Sequence, residues 1–321
     1  MFSKGLVAVP IDDKDRKSTW LTAKLSAVNL FKKVKGTSPY KAYAGVYTGG
    51  ANGIYWVKVL KKSADKLITV ENLYNCGKKK LTREITSIEK NLVYRLIRSG
   101  DVKRWSPQPE YYIILPHTEK TDWQAIPESE MKINFPKTYS YFTKFKKVLL
   151  QRSAYTLLRK GHPFYIMVDI HKHSFAPFKV AWKRMGSEIA AAVLSPTYDP
   201  YIGRKPLIPQ ETISFIPLKN EEEAHYLCAI LNSTEVNALV RSFSQLGGKS
   251  FATPSVLEQI KIPRFDSKNK LHKLLATLSK KAHDLKKQGK EDKLQKVENE
   301  IDERVAELYR LSARELEKLK K

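Results

Sequence analysis

From about Lys268 onward, apolar residues recur three and four positions apart with little to interrupt them. Leu271, Leu274, Leu275, Leu278, Ala282 and Leu285 form one stripe, and Leu294, Val297, Ile301, Val305 and Leu308 form a second. Between them lies "KKQGKED", with Gly289 at its centre. An apolar stripe on a helix has to be buried against another element. Two stripes joined through a glycine turn predict two antiparallel helices packed on each other.

The preceding residues follow a different pattern. "KAYAGVY", "IYWVKVL", "KLITVENLYN", "NLVYRLIR" and "EYYIILPH" are short runs rich in Tyr, Val and Ile, separated by Gly, Pro and Asn, and they read as strands. "PFYIMVDI", "FKVAWKR", "IAAAVLS" and "ETISFIPL" read the same way. Between the two groups, Tyr141 to Gly161 predicts a helix on the spacing of Phe142, Phe145, Val148, Leu149 and Leu157. A short helix is predicted from Ser18, with Ser18 or Thr19 as its cap. A further one starts at Asn220, where three glutamates occupy the first turn and complement the helix dipole. It breaks at "NSTE" (232–235), which has capping-box spacing, and ends at Gly247–Gly248. Strands followed by terminal helices give an α+β class. The expected division is a connecting segment over 1–30, a β-rich region over 31–265 and a helical hairpin over 266–321.

"AGVYTGGANGIYWVKVL" (44–60) poses the main chemical question, because clustered glycines can cradle a phosphate. The dinucleotide fingerprint must open a helix, whose N-terminal amides hold the anion. Here the glycines precede "IYWVKVL", which has the β-branched and aromatic density of a strand. They are expected to supply positive φ angles in a strand–turn–strand. No P-loop and no G-x-S-x-G elbow occurs. Asp122, Glu130 and Lys132 stand in the order D…E-x-K, which in a nuclease binds a divalent metal. Pro127 interrupts that stretch, whereas such a site needs a rigid strand.

Charge supplies the strongest functional signal. The chain carries 58 Lys+Arg against 33 Asp+Glu, a formal net of +25. Residues 131–190 hold 12 basic and two acidic residues, and residues 17–106 hold 19 basic and five acidic. So concentrated an excess points to a polyanion, since Lys and Arg displace the counterions of a phosphate backbone. Aromatics interleave with these charges, and for the collection the net charge favours DNA, taken as double-stranded, as the partner. Candidate DNA contacts, chosen by charge and loop position, are Thr48 and Asn52 in the turn and Lys147, Arg152 and Arg159 in the basic helix. Lys183, Arg184, Arg204, Lys205 and Lys249 follow near strand ends and loops. Cys76 and Cys228 are isolated thiols, which suits a reducing cytoplasm. No apolar run approaches the ~18 residues of a membrane span, so no membrane partner is expected.

The order of segments resembles a known family. "GVYTGGANGIYWVKVL", "LIRSGDVKRWSPQPEYYIILPH", "LLQRSAYTLLRKGHPFYIMVDI", "FAPFKVAWKRMG", "EEEAHYLCAILNS", "FATPSVLEQIKIPRFD" and "IDERVAELYRLSARELEKL" resemble, in that order, the target-recognition domain of TaqI-like adenine-N6 DNA methyltransferases of type II restriction-modification systems. The resemblance implies a double β-helix-like recognition region followed by a C-terminal α-hairpin, facing DNA across a cleft from a catalytic half. That half flips the target adenine out of the duplex. Its Gly-rich S-adenosylmethionine loop and its [N/D/S]-P-P-[Y/F/W] motif do not occur here. "TSPY", "SPTY" and "DPY" lack the paired prolines. By resemblance, this chain holds no cofactor, S-adenosylmethionine is expected in the missing catalytic half, and the chain is a recognition subunit beside a separate catalytic polypeptide, a truncated gene product or an excised domain. The alternatives are a specificity subunit of a multisubunit restriction system, or a metal-dependent nuclease built on Asp122, Glu130 and Lys132.

Overall fold

The computed structural model describes residues 5–11, 14–77, 81–244, 247–248 and 250–320. It is a mixed α+β structure with two main sheets and several short ribbons. The larger sheet has six strands, in the order Ile208–Pro209, Val93–Ile97, Tyr112–Ile114, Trp56–Ala64, Leu67–Asn72 and Ile85–Glu89. All neighbours are antiparallel except the first pair. Alternation is clearest in Leu67–Asn72, where Ile68, Val70 and Asn72 are buried in turn. Buried Asn72 is satisfied by Thr82 O and by the amide of Glu84.

The smaller sheet runs Ala191–Leu194, Phe178–Lys183, Ile213–Leu218 and Tyr43–Ala44, all antiparallel. The helix Glu221–Asn232 lies between this sheet and the helix Lys270–Lys287. Each of its residues from Ala224 to Asn232 is buried, as a helix covered on all sides requires. Asn220 caps it, accepting from the amides of Glu222 and Glu223. The 18-residue helices Lys270–Lys287 and Glu291–Leu308 pack against each other, and Gly289 (φ +69°) turns the chain between them. A third helix, Ala313–Lys320, follows.

Two large apolar cores result, with a smaller third cluster around Ile97, Ala181, Leu207 and Phe215. One joins the smaller sheet to the helices after Asn220; the other fills the space between the larger sheet and the short helices of residues 128–158. No described helix is long and apolar enough to cross a membrane.

Several sequence expectations are corrected by long-range pairing. Residues from Trp20 to Lys24 form a strand against Leu6–Pro10, and the helix begins only at Leu25, without a side-chain cap. Tyr141–Gly161 is not one helix. It falls within Pro136–Lys144, Lys146–Leu150 and Ser153–Leu158, broken at Phe145 and at Gln151–Arg152. "PFYIMVDI" is compact and turned, with only Val168 bridged, to Tyr47. The break after Asn232 is capped by Ser233, which accepts from Val236, and the helix that follows ends at Phe243, ahead of the glycine pair.

Candidate nucleic-acid interface

The stretch 44–55 is not a hairpin, since the runs flanking its glycines do not pair with each other. Ala44 belongs to the smaller sheet, opposite Ser214. Val46 bridges Gln210 in parallel, and Tyr47 exchanges two 2.9 Å backbone hydrogen bonds with Val168. A single helical turn, Asn52–Tyr55, then leads into Trp56–Ala64 of the larger sheet. The segment therefore connects the two sheets.

Its glycines do two jobs. Gly49 (φ +70°) and Gly50 (φ +82°) take the left-handed conformation, where a side chain is strained. Gly45 and Gly53 permit close backbone approach. A Cβ on Gly45 would lie 2.3 Å from Gln210 O, and one on Gly53 would lie 2.7 Å from Leu73 O. Gly49 also packs closely, 2.9 Å from the Ala154 Cβ by the same measure. Only Gly50 has open space where a side chain would be, so the other three glycines face the protein's own atoms.

Arg152 fixes the turn from the opposite wall. It is buried, and its guanidinium donates to four carbonyls: Leu149 (2.9 Å), Thr48 (2.8 Å), Phe164 (2.8 Å) and Ile166 (2.9 Å). It also lies over the Tyr55 ring. Thr48 Oγ1 in turn donates to Asn52 Oδ1 at 2.5 Å.

Turn and helices enclose a cleft of about 540 Å³ whose lining includes Tyr47, Gly50, Asn52, Gln151, Arg152 and Glu211. Glu211 sits in the turn between Ile208–Pro209 and Ile213–Leu218. Its Oε2 is buried and has no hydrogen-bond partner among the described residues. Burial raises the pKa of this carboxyl, and nearby Asp169 adds to the rise, against its own backbone N–H and Arg184.

The structure brings some of the sequence candidates together and disperses others. Asn52 and Arg152 line the cleft and Thr48 is bonded to both, although Arg152 spends its donors on the fold. Arg184 donates to the backbone oxygen of Glu211 at 3.0 Å. Lys147 is exposed on Lys146–Leu150. Arg159 is half-buried over the Trp123 ring, and Lys183 is half-buried at the end of its strand. Arg204 is exposed on a two-stranded ribbon, Thr197–Asp199 with Gly203–Lys205. Lys205, on the same ribbon, donates to the carbonyls of Lys90, Asn91 and Val93, and burial pushes its ammonium down to about 8. Lys249 lies outside the described residues. Neither Arg204 nor Lys205 lines the cleft.

Glu211 was not among the candidates. An acidic residue scores against a polyanion when charge alone is counted, and "IPQETI" carries no motif. The D…E-x-K residues do not assemble: Asp122 accepts from the Lys172 amide and lies 3.5 Å from His171 Nδ1, while Lys132 pairs with Glu128 at 3.0 Å. No group of three His, Cys, Asp or Glu side chains placed to hold a metal occurs among the described residues. His171 and His173 stack on each other, and His173 on Tyr43, in a ladder of rings.

What the fold and cleft define is an α+β protein with a concave site of mixed polar and apolar lining on a strongly basic chain. No family model matches it. Over 202 residues it is 24% identical to the type II methyltransferase M.NspV of Nostoc sp., a stretch covering 63% of this chain and 39% of that protein. The chain thus spans well under half the length of this relative. Among solved structures it is similar to the type IIL restriction-modification enzyme MmeI in complex with DNA, with a TM-score of 0.49 and 11% identity over 86% of this chain and 33% of MmeI.

Proposed function

We propose that this chain is the DNA target-recognition part of an adenine-N6 DNA methyltransferase in a restriction-modification system. The observation that carries the reading is the cleft at the glycine turn. It presents the Asn52 and Gln151 amides and the Glu211 carboxylate within one concave space, on a chain of net charge +25. A merely basic surface holds phosphates, whereas reading base edges requires donors and acceptors together. Similarity to a type II methyltransferase supports the restriction-modification setting.

The glycine turn does not fit a nucleotide cofactor, because three of its four glycines pack against protein atoms and only a four-residue helical turn follows. Methyl transfer with S-adenosylmethionine is accordingly assigned to a separate catalytic polypeptide, or to another part of a longer one. The double β-helix-like architecture, the division at 30 and 265 and the terminal hairpin belong to the same reading.

Duplex binding measured by fluorescence anisotropy at increasing salt tests it. With six or more phosphate contacts, affinity falls about a thousandfold between roughly 50 and 200 mM salt, while a selected target sequence retains an advantage over random DNA. Salt-insensitive binding, or none to duplex DNA, overturns it.

A further inference from the structure

We infer that Glu211 is a specificity-determining residue, accepting a hydrogen bond from an exocyclic amino group, cytosine N4 or adenine N6, on a base edge presented to the glycine-turn cleft. The inference rests on the DNA-recognition reading above.

Glu211 is held from three sides. Gly45 lets the chain 44–46 lie directly on Pro209–Gln210, and the amide of Val46 donates to Pro209 O at 2.9 Å. Gln210 closes the turn: its carbonyl accepts from Ile213 N at 2.9 Å, and its side chain accepts from Thr212 N at 3.1 Å. Arg184 grips the Glu211 backbone oxygen; of the carboxylate, which its own backbone N–H and the Arg184 charge also reach, Oε2 keeps no hydrogen-bond partner. The result is a firmly held residue in the cleft lining, with one buried carboxylate oxygen that nothing in the described protein satisfies.

An ionised carboxylate only accepts hydrogen bonds, and burying one unpaired is costly, so a donor entering the cleft recovers that cost. Phosphate is repelled by the carboxylate. A metal cation is disfavoured by the guanidiniums of Arg152 in the cleft wall and Arg184 beside it. A neutral N–H donor meets neither objection. On the major-groove edge of DNA the amino groups of cytosine and adenine are the donors, and acidic side chains recognise them.

The test begins by selecting the preferred duplex from a random library with the wild-type protein. Each adenine and cytosine of that site is then replaced by the analogue lacking its amino group. One replacement is expected to weaken wild-type binding about tenfold, and its identity distinguishes N6 from N4. Glu211→Ala should lose the same factor on the unmodified site and be indifferent to that replacement. Glu211→Gln, whose amide can also donate, should newly accept a keto base at that position. Unchanged selection by both variants, or wild-type binding indifferent to every replacement, overturns the inference. The analogue scan needs no variant to fold. Failure of the broader reading is distinct: the wild-type protein would then show no salt-dependent duplex binding.

Discussion

Arg152 donates from Nη1 to the carbonyl oxygen of Thr48, 2.8 Å away and 104 residues earlier in the chain. The same guanidinium holds three further carbonyls, so one side chain sets the distance between the glycine turn, the break in the basic helices and the segment at 164–166. The cleft keeps its shape because these three pieces cannot move independently.

Replacing Arg152 by Met should therefore cost stability before it changes any charge effect on binding. Four buried carbonyls lose donors, each loss being worth about 1 kcal/mol, so a total of about 4 kcal/mol is expected in urea unfolding. Arg152→Lys keeps the charge but not the fork and should recover only part of this. An unchanged unfolding midpoint for Arg152→Met would refute the structural role.

Local signals were legible wherever a few neighbouring residues decide the outcome. The Asn220 cap, the stripes of the last helices and the positive φ of Gly49 and Gly50 all follow from short-range chemistry. What escaped was decided by partners far away. The helix expected through Tyr141–Gly161 breaks at Arg152 because its guanidinium turns inward to Thr48 and Phe164. The strand-like Pro163–Ile170 is not a strand because its buried groups bond individually, Tyr165 Oη to Ile126 O and Met167 N to His117 Nε2. At the cleft, the turn places Asn52 in the lining and buries Thr48 behind it, whereas Glu211 reaches the lining only through sheet pairing that has no local signature.

The two kinds of glycine in the turn should respond differently to a methyl group. Gly45→Ala drives a Cβ to 2.3 Å from Gln210 O and 2.4 Å from Pro209 O, both backbone atoms that cannot rotate away. A loss of about 2–3 kcal/mol is expected. Gly50→Ala meets open space and is charged only for its φ of +82°, about 1 kcal/mol. Thermal unfolding of both variants checks the ranking. Equal losses would contradict the close packing of Gly45 on Pro209–Gln210.

Glu235 gives the fold a pH dependence. It is buried beneath the terminal helices, and burial first, then neighbouring Asp302, push its carboxyl up to about 8. Between the ordinary carboxylate range and that value, the unfolded chain has released the proton while the folded chain still holds it. This group's contribution thus falls as pH rises through that window and is flat above it. The full effect is on the order of 4 kcal/mol. Glu235→Gln should match the wild type near pH 5 and exceed it in stability near pH 9, as read from urea midpoints across the range. Parallel curves for the two proteins would refute this.

Two lysines chosen alike from the sequence should behave differently with DNA. Lys147 is exposed on the helix Lys146–Leu150, next to the cleft-lining Val148, so it is free to meet a phosphate. Lys147→Ala is expected to reduce the slope of log affinity against log salt by about 1 and to leave stability unchanged. The Lys205 ammonium already serves the carbonyls of Lys90, Asn91 and Val93 and lies over the Tyr94 ring. Using it on DNA would mean breaking those bonds, so Lys205→Met should leave the salt slope intact and instead lower unfolding stability by about 1–2 kcal/mol. Both quantities are measured on the same two variants. If Lys205→Met flattens the salt dependence and Lys147→Ala does not, the binding face lies at the Thr197–Lys205 ribbon and the glycine-turn cleft is not its centre.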